Sequence, residues 1–221
     1  MLSLQEIAAR ADLALFRPDA TRADVDKVCS IAHERRVRAV CVPSAWVAQV
    51  AARLEDTDIK TVALVGFPLG NCEGDVKRFE AETAIDHGAQ EIEFVLSAGK
   101  ILEGDFRSLL REVRDLAEAT EERPVCAVLP VGLLTREQII QTCHLLLDSG
   151  AHAVASGTGF PGEAPPESEQ VRWLREAVGP RFGLKGVIHA ASVESAAACL
   201  EAGADRVGVS DFGLWEPRTV G

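Results

Sequence analysis

The chain predicts an α/β protein, a single (β/α)₈ TIM barrel with a short N-terminal helix, and three observations carry that expectation. Eight short apolar runs alternate with stretches of helical length along all 221 residues. Helix start signals and Gly-Ala stop signals fall between the runs. No linker, charge block or low-complexity segment divides the chain, so residues 1–221 read as one domain. Strand–helix alternation implies a parallel sheet, because parallel neighbours need a crossover connection. Eight units of about 27 residues close a barrel, a little under the usual ~250 residues. The competing architecture is an open doubly wound sheet. That sheet wants a glycine-rich phosphate turn after an early strand, and neither GxGxxG nor GxxxxGK[ST] occurs.

In chain order, Met1–Arg10 reads as a short helix across the barrel's bottom, before the first run, Leu13–Phe16. Thr21 with Asp24 has the form of a capping box at the start of the next helix. The second run is Ala39–Pro43. The third, Thr61–Val65, ends in Gly66-Phe67-Pro68-Leu69-Gly70, a turn in which proline fixes φ and glycine permits positive φ. Gly88-Ala89 precedes the fourth run, Glu91–Leu96, and Val125–Pro130 is the fifth. Thr135 with Gln138 is a second capping box, and Gly150-Ala151 closes its helix before His152–Ser156. The seventh run is Gly183–Ile188. Ser192 is an N-cap for the helix that Gly203-Ala204 ends before Arg206–Ser210.

Composition narrows the function classes. With 23 Lys+Arg against 34 Asp+Glu the net charge is -11, which argues against nucleic acid as a partner. No apolar run approaches the ~18 residues of a membrane span. The N-terminus lacks the basic-then-apolar order of a signal peptide, so the expected location is cytoplasmic. Six scattered cysteines include no CxxC pair, which gives little support to a zinc site or a disulfide framework. No metal and no cofactor is expected. Of the five lysines, Lys27 and Lys77 fall on helices, Lys60 at a strand start and Lys100 in a loop, all reading as surface positions. Lys185 alone lies inside an apolar strand run.

A barrel works at the C-terminal ends of its strands. Glu91 and Glu93 share one face of the fourth strand, with Glu93 nearer the top. Glu93 reads either as a proton carrier or as the partner of a buried cation. Lys185 reads either as a desolvated amine nucleophile or as the counter-ion of Glu93. Both are expected to project into the mouth, close enough to pair. His189, just beyond, titrates in a useful range, or is a plain loop residue. Thr158 and Gly159 after the sixth strand, and Ser210 after the eighth, can present backbone N–H groups to an anion. Asp211 opposes a phosphate there and reads as the cap of a following helix.

At these residues the sequence resembles the deoxyribose-phosphate aldolase family, from about Asp12 to Ser210. The likeness rests on Leu15-Phe16-Arg17-Pro18-Asp19-Ala20-Thr21, Val40-Cys41-Val42-Pro43, and Gly66-Phe67-Pro68-Leu69-Gly70 with Val76-Lys77 and Glu80. It continues through Leu133-Leu134-Thr135, Ser156-Gly157-Thr158-Gly159-Phe160 and Gly203-Ala204-Asp205-Arg206-Val207-Gly208. The resemblance implies a metal-free class I aldolase on a (β/α)₈ barrel, joining or cleaving acetaldehyde and glyceraldehyde 3-phosphate. A sixth-strand lysine forms the Schiff base, a seventh-strand lysine lowers its pKa, and a fourth-strand aspartate relays protons. Here the Schiff-base position is Ala155, the aspartate is Glu93, and only Lys185 remains of the lysine pair. Ser97 and Pro130 stand for an asparagine and a glutamate. Ile188-His189 stands for a phosphate-binding Gly-Gly, and Asp211 for the second of two serines. Two functions follow: an aldolase-type carbon–carbon lyase acting on a small phosphorylated sugar or aldehyde, or a non-catalytic relative binding a small ligand or a partner protein. A homo-oligomer is compatible with either.

Overall fold

Each crossover helix begins and ends where local chemistry dictates, and the strands between them close on themselves. The computed structural model describes residues 2–162, 166–188 and 192–210. His189 and Asp211 lie outside the described residues. The strands are β1 (Ala11–Ala14), β2 (Ala39–Pro43), β3 (Lys60–Val65), β4 (Glu91–Val95), β5 (Val125–Val128), β6 (Ala153–Ala155), β7 (Gly183–Ile188) and β8 (Arg206–Val209). Each pairs in parallel with the next, and β8 returns to β1 to complete the barrel. The helices are α1 (Leu4–Ala8), α2 (Arg22–Arg35), α3 (Val47–Leu54), α4 (Gly74–Asp86), α5 (Ala98–Glu103), α6 (Phe106–Ala119), α7 (Arg136–Leu147), α8 (Ser168–Val178) and α9 (Val193–Glu201). The capping boxes Thr21–Asp24 and Thr135–Gln138 both form, and Ser192 caps α9. Among the described residues no helix is long and apolar enough to cross a membrane.

Three features depart from expectation. β1 begins at Ala11, two residues before the expected run, because Asp12 pairs in register with Ala39 and belongs to the strand. Its carboxylate is fully buried, so the sequence hides the strand start behind a charge. Phe16, freed from the strand, stands at the barrel mouth instead. Lys77 is not on the surface: it is completely buried. Lys77, Ala81, Ala84 and Ile85 form the buried stripe of α4, while the apolar Val76 and Phe79 face outward. Lys100 lies on α5 rather than in a loop.

Strand alternation divides the core into two compartments. One set of side chains meets the helices, as with Ile92, Phe94, Val125 and Ala127. The other set fills the barrel in two apolar clusters. One holds Val95, Cys126, Val128, Ala153, Ala155 and Val187, and the other holds Ala14, Ala39, Cys41, Val62 and Leu64. Phe67 packs against both. Below it, between the two clusters, lies a group of ions.

Candidate active site

Three carboxylates and three cations meet inside the barrel: Asp12 from β1, Glu91 and Glu93 from β4, Arg38 just before β2, Lys185 from β7 and Arg206 from β8. Lys185 Nζ donates to both oxygens of Glu93 at 2.7 and 2.9 Å and lies 3.2 Å from Asp12 Oδ2. Arg38 holds Asp12 with Nε and Nη2, at 2.6 and 3.1 Å, and Glu91 with Nη1 and Nη2, at 2.7 and 2.9 Å. Arg206 approaches Asp12 at 3.3 Å and Glu93 at 3.7 Å. Its Nε is buried with no aligned acceptor, so that contact is electrostatic rather than a hydrogen bond. The formal charges cancel, which is the condition for burying so many of them.

The environment favours the charged form of Lys185. Burial alone would depress the ammonium, but Cys41, Glu93 and Asp12 against it more than offset burial and hold it above the ordinary lysine range. The Cys41 thiol, 3.6 Å away, is itself kept protonated by burial, so the two carboxylates supply the effect. Burial also works to raise Asp12, and Lys185, Arg38 and Arg206 overcome it, holding the carboxyl well below the usual range. Gly208 makes room for this arrangement: a Cβ there would come within 2.6 Å of Lys185 Cε. Asp12, Cys41 and Glu93 also offer three ligand atoms within 4.8 Å of one another, the one such group among the described residues. The ammonium of Lys185 lies within 3.6 Å of all three.

Ala155 pairs in register with Lys185 on the adjacent strand and is fully buried among Val95, Cys126, Val128 and Val187. Where a sixth-strand lysine would project, the barrel holds methyl groups and a thiol. Burial pushes the Cys126 thiol up to about 12.

Above the ions, Phe16, Phe67 and Phe160 converge, with ring centroids 4.8 to 6.0 Å apart. Beneath the rings remains a space of about 20 Å³, room for about one water, lined by Glu93, Lys185, Thr158, Gly159 and Ser210 among others. The structure therefore brings five of the expected site residues to one space, and of these Lys185 is the register neighbour of Ala155. Thr158 Oγ1 accepts from the Phe160 N–H at 3.1 Å, which ties the loop after β6 to the ring that covers the mouth.

The loop after β3 is built from outside the barrel. Gly66 and Gly70 adopt φ of +62° and +66°, and a Cβ on Gly70 would collide with the Leu96 carbonyl oxygen. Glu80 accepts from the Gly66 N–H at 2.8 Å and from Ser44 Oγ at 2.8 Å. Lys77 Nζ donates to the Val95 carbonyl at 2.8 Å and to Glu112, which Lys100 also holds. Lys77 thus fastens the end of β4 beneath the loop that carries Phe67. Sequence reasoning found Lys185 and Glu93 but missed Asp12, Arg38, Arg206 and the lid phenylalanines. The available signal was a charged residue at or just before the N-terminal end of three apolar runs: Asp12, Arg38 and Arg206.

The closed parallel barrel and the polar cluster under its C-terminal loops define a (β/α)₈-barrel protein with a strand-borne lysine. No protein-family model matches the chain. The deoxyribose-phosphate aldolase of Streptococcus uberis is 37% identical over 199 residues, 90% of each chain. That of Alkaliphilus oremlandii is 36% identical over 205 residues, 92% of each chain. The solved deoxyribose phosphate aldolase of Aeropyrum pernix, described as a tetramer, superposes with a TM-score of 0.86 at 25% identity, covering 94% of this chain and 88% of that one. The chain belongs to the deoxyribose-phosphate aldolase family.

Proposed function

We propose that this family member does not form the imine and instead holds a small aldehyde or phosphorylated sugar noncovalently under the C-terminal loops. The observation that carries the reading is Lys185, clasped as an ammonium between Glu93 and Asp12 beside an alanine at the nucleophile position. An imine requires a neutral amine, and each pKa unit above the working pH removes tenfold of that form. Thr158, Gly159 and Ser210 are assigned to ligand contact. His189, outside the described residues, keeps that assignment from its position after β7 alone. A cytoplasmic role in the metabolism of small sugars or aldehydes accords with the family.

Cleavage of deoxyribose 5-phosphate is then expected at least about a thousandfold below that of a relative with the sixth-strand lysine, about 4 kcal/mol of transition-state stabilisation. A specific observation favours a second reading, residual lyase activity through Lys185: it is the register neighbour of Ala155. The Ala155→Lys variant separates the two. If the missing amine is the main defect, the variant raises cleavage at least about tenfold, within the range expected for restoring a nucleophile. A wild type that cleaves at a rate typical of the family overturns the proposal.

A further inference from the structure

The space under the three rings holds about one water, so a larger ligand reaches Glu93 and Lys185 only if a ring moves. The rings are not held alike. Phe67 rides on a fastened loop: the Gly66 N–H donates to Glu80 at 2.8 Å, the Gly70 N–H donates to the Gly66 carbonyl at 2.8 Å, and the Lys77 stem lies against Gly66. Phe16 sits between two anchored neighbours. The Leu15 N–H donates to the Cys41 carbonyl at 2.9 Å, and Arg17 pairs with Asp24 at the start of α2. Phe16 and Phe67 are also the closest pair, with centroids 4.8 Å apart, whereas Phe160 stands 6.0 and 5.9 Å from them. Phe160 lies between Gly157 and Gly162, whose φ values of +150° and +96° are accessible to glycine at little cost. At Gly162 a Cβ would meet nothing within 4 Å, so backbone conformation rather than packing calls for glycine there. Between these two hinges Pro161 stiffens the segment, fixing its own φ and confining Phe160 to extended backbone. Pro161 and Gly162 are exposed, so their movement breaks no core packing.

We propose that Phe160 is the gate of the mouth, swinging on Gly157 and Gly162 while Phe16 and Phe67 stay fixed as its frame. The inference rests on the reading that a ligand is held under the C-terminal loops, and it names the residue that controls entry. Two measurements test it. The first is amide hydrogen exchange of the wild type, read by NMR and corrected for intrinsic rates. The Phe160 N–H is expected to exchange at least about tenfold faster than those of Leu15, Gly66 and Gly70. The second uses Val128→Cys, at a buried position lining the space below the rings, labelled with methyl methanethiosulfonate and mapped by peptide fragmentation. Adding Phe160→Ala is expected to speed labelling of that thiol at least about tenfold, while Cys143, buried on α7, keeps its rate. Equal protection at Phe160 and Gly66, or faster exchange at Gly66, overturns the proposal. So does labelling that Phe160→Ala leaves unchanged, or that rises equally at Cys143, the mark of a loosened fold. An imine trapped on Lys185 defeats the noncovalent reading and leaves the gate intact, so the two ideas fail in different experiments.

Discussion

Lys185 shows how the surroundings of one residue decide its chemistry. A lysine buried in an apolar barrel would shed its proton and become a nucleophile, but two carboxylates within 3.2 Å reverse that tendency. Lys185→Met leaves Glu93 and Asp12 facing each other with less positive charge, and breaking a buried pair from one side costs about 3–5 kcal/mol. Chemical denaturation should show a loss of that size, and a loss below about 1 kcal/mol, the worth of a surface pair, would mean the pair is solvated. Position 155 obeys the opposite logic. A lysine placed there enters an apolar cluster next to the Lys185 ammonium, and burial and like charge both favour its neutral form. The same residue type is therefore expected, under the proposal, to be inert on β7 and reactive on β6. Glu93 and Lys185 were legible because a charge inside an apolar run is conspicuous. Asp12 was not, because it sits second in its strand, next to Arg10 and Ala11, and reads as part of a polar approach.

At the scale of elements, α4 fastens the barrel it appears only to cover. Lys77 ties the end of β4 to α6 through Glu112, and Glu80 ties the start of the Phe67 loop. Lys77→Met and Glu112→Leu should each destabilise the protein, and the double variant should cost less than the sum, because each single change strands a charge that the other removes. Additive losses in denaturation would show that the pair is not coupled. The sequence announced helix ends well, since a capping box and a helix-stopping Gly-Ala pair are local chemistry. It concealed which face of α4 is inside, because the buried stripe includes a lysine while Val76 and Phe79 are exposed. Hydrophobic periodicity fails where an ion pair replaces an apolar contact.

For the whole molecule, the ion cluster sets how stability follows pH. Asp12 is depressed below its unfolded value, so its contribution is present above about pH 4 and lost as pH falls toward the folded value. Lys185 is raised, so its contribution is present below about pH 10 and lost as pH rises toward its folded value. Thermal unfolding should show a broad plateau between these limits. The melting-temperature deficit of Lys185→Met should shrink below about pH 4, where the stranded carboxylates protonate. A deficit independent of pH would place the cluster's effect in packing rather than charge. The barrel itself was legible because strand–helix alternation and its spacing are global properties of the chain. The closure of the mouth by Phe16, Phe67 and Phe160 was not, because three loops far apart in sequence supply it. The central claim, that this barrel holds its lysine as an ammonium and makes no imine, is tested most directly by borohydride reduction in the presence of acetaldehyde, with peptide mapping of the modified lysines. The expected result is no modification of Lys185 above the level at exposed Lys27 in the wild type, and strong modification at the new lysine in Ala155→Lys. Selective modification of Lys185 in the wild type would contradict the claim.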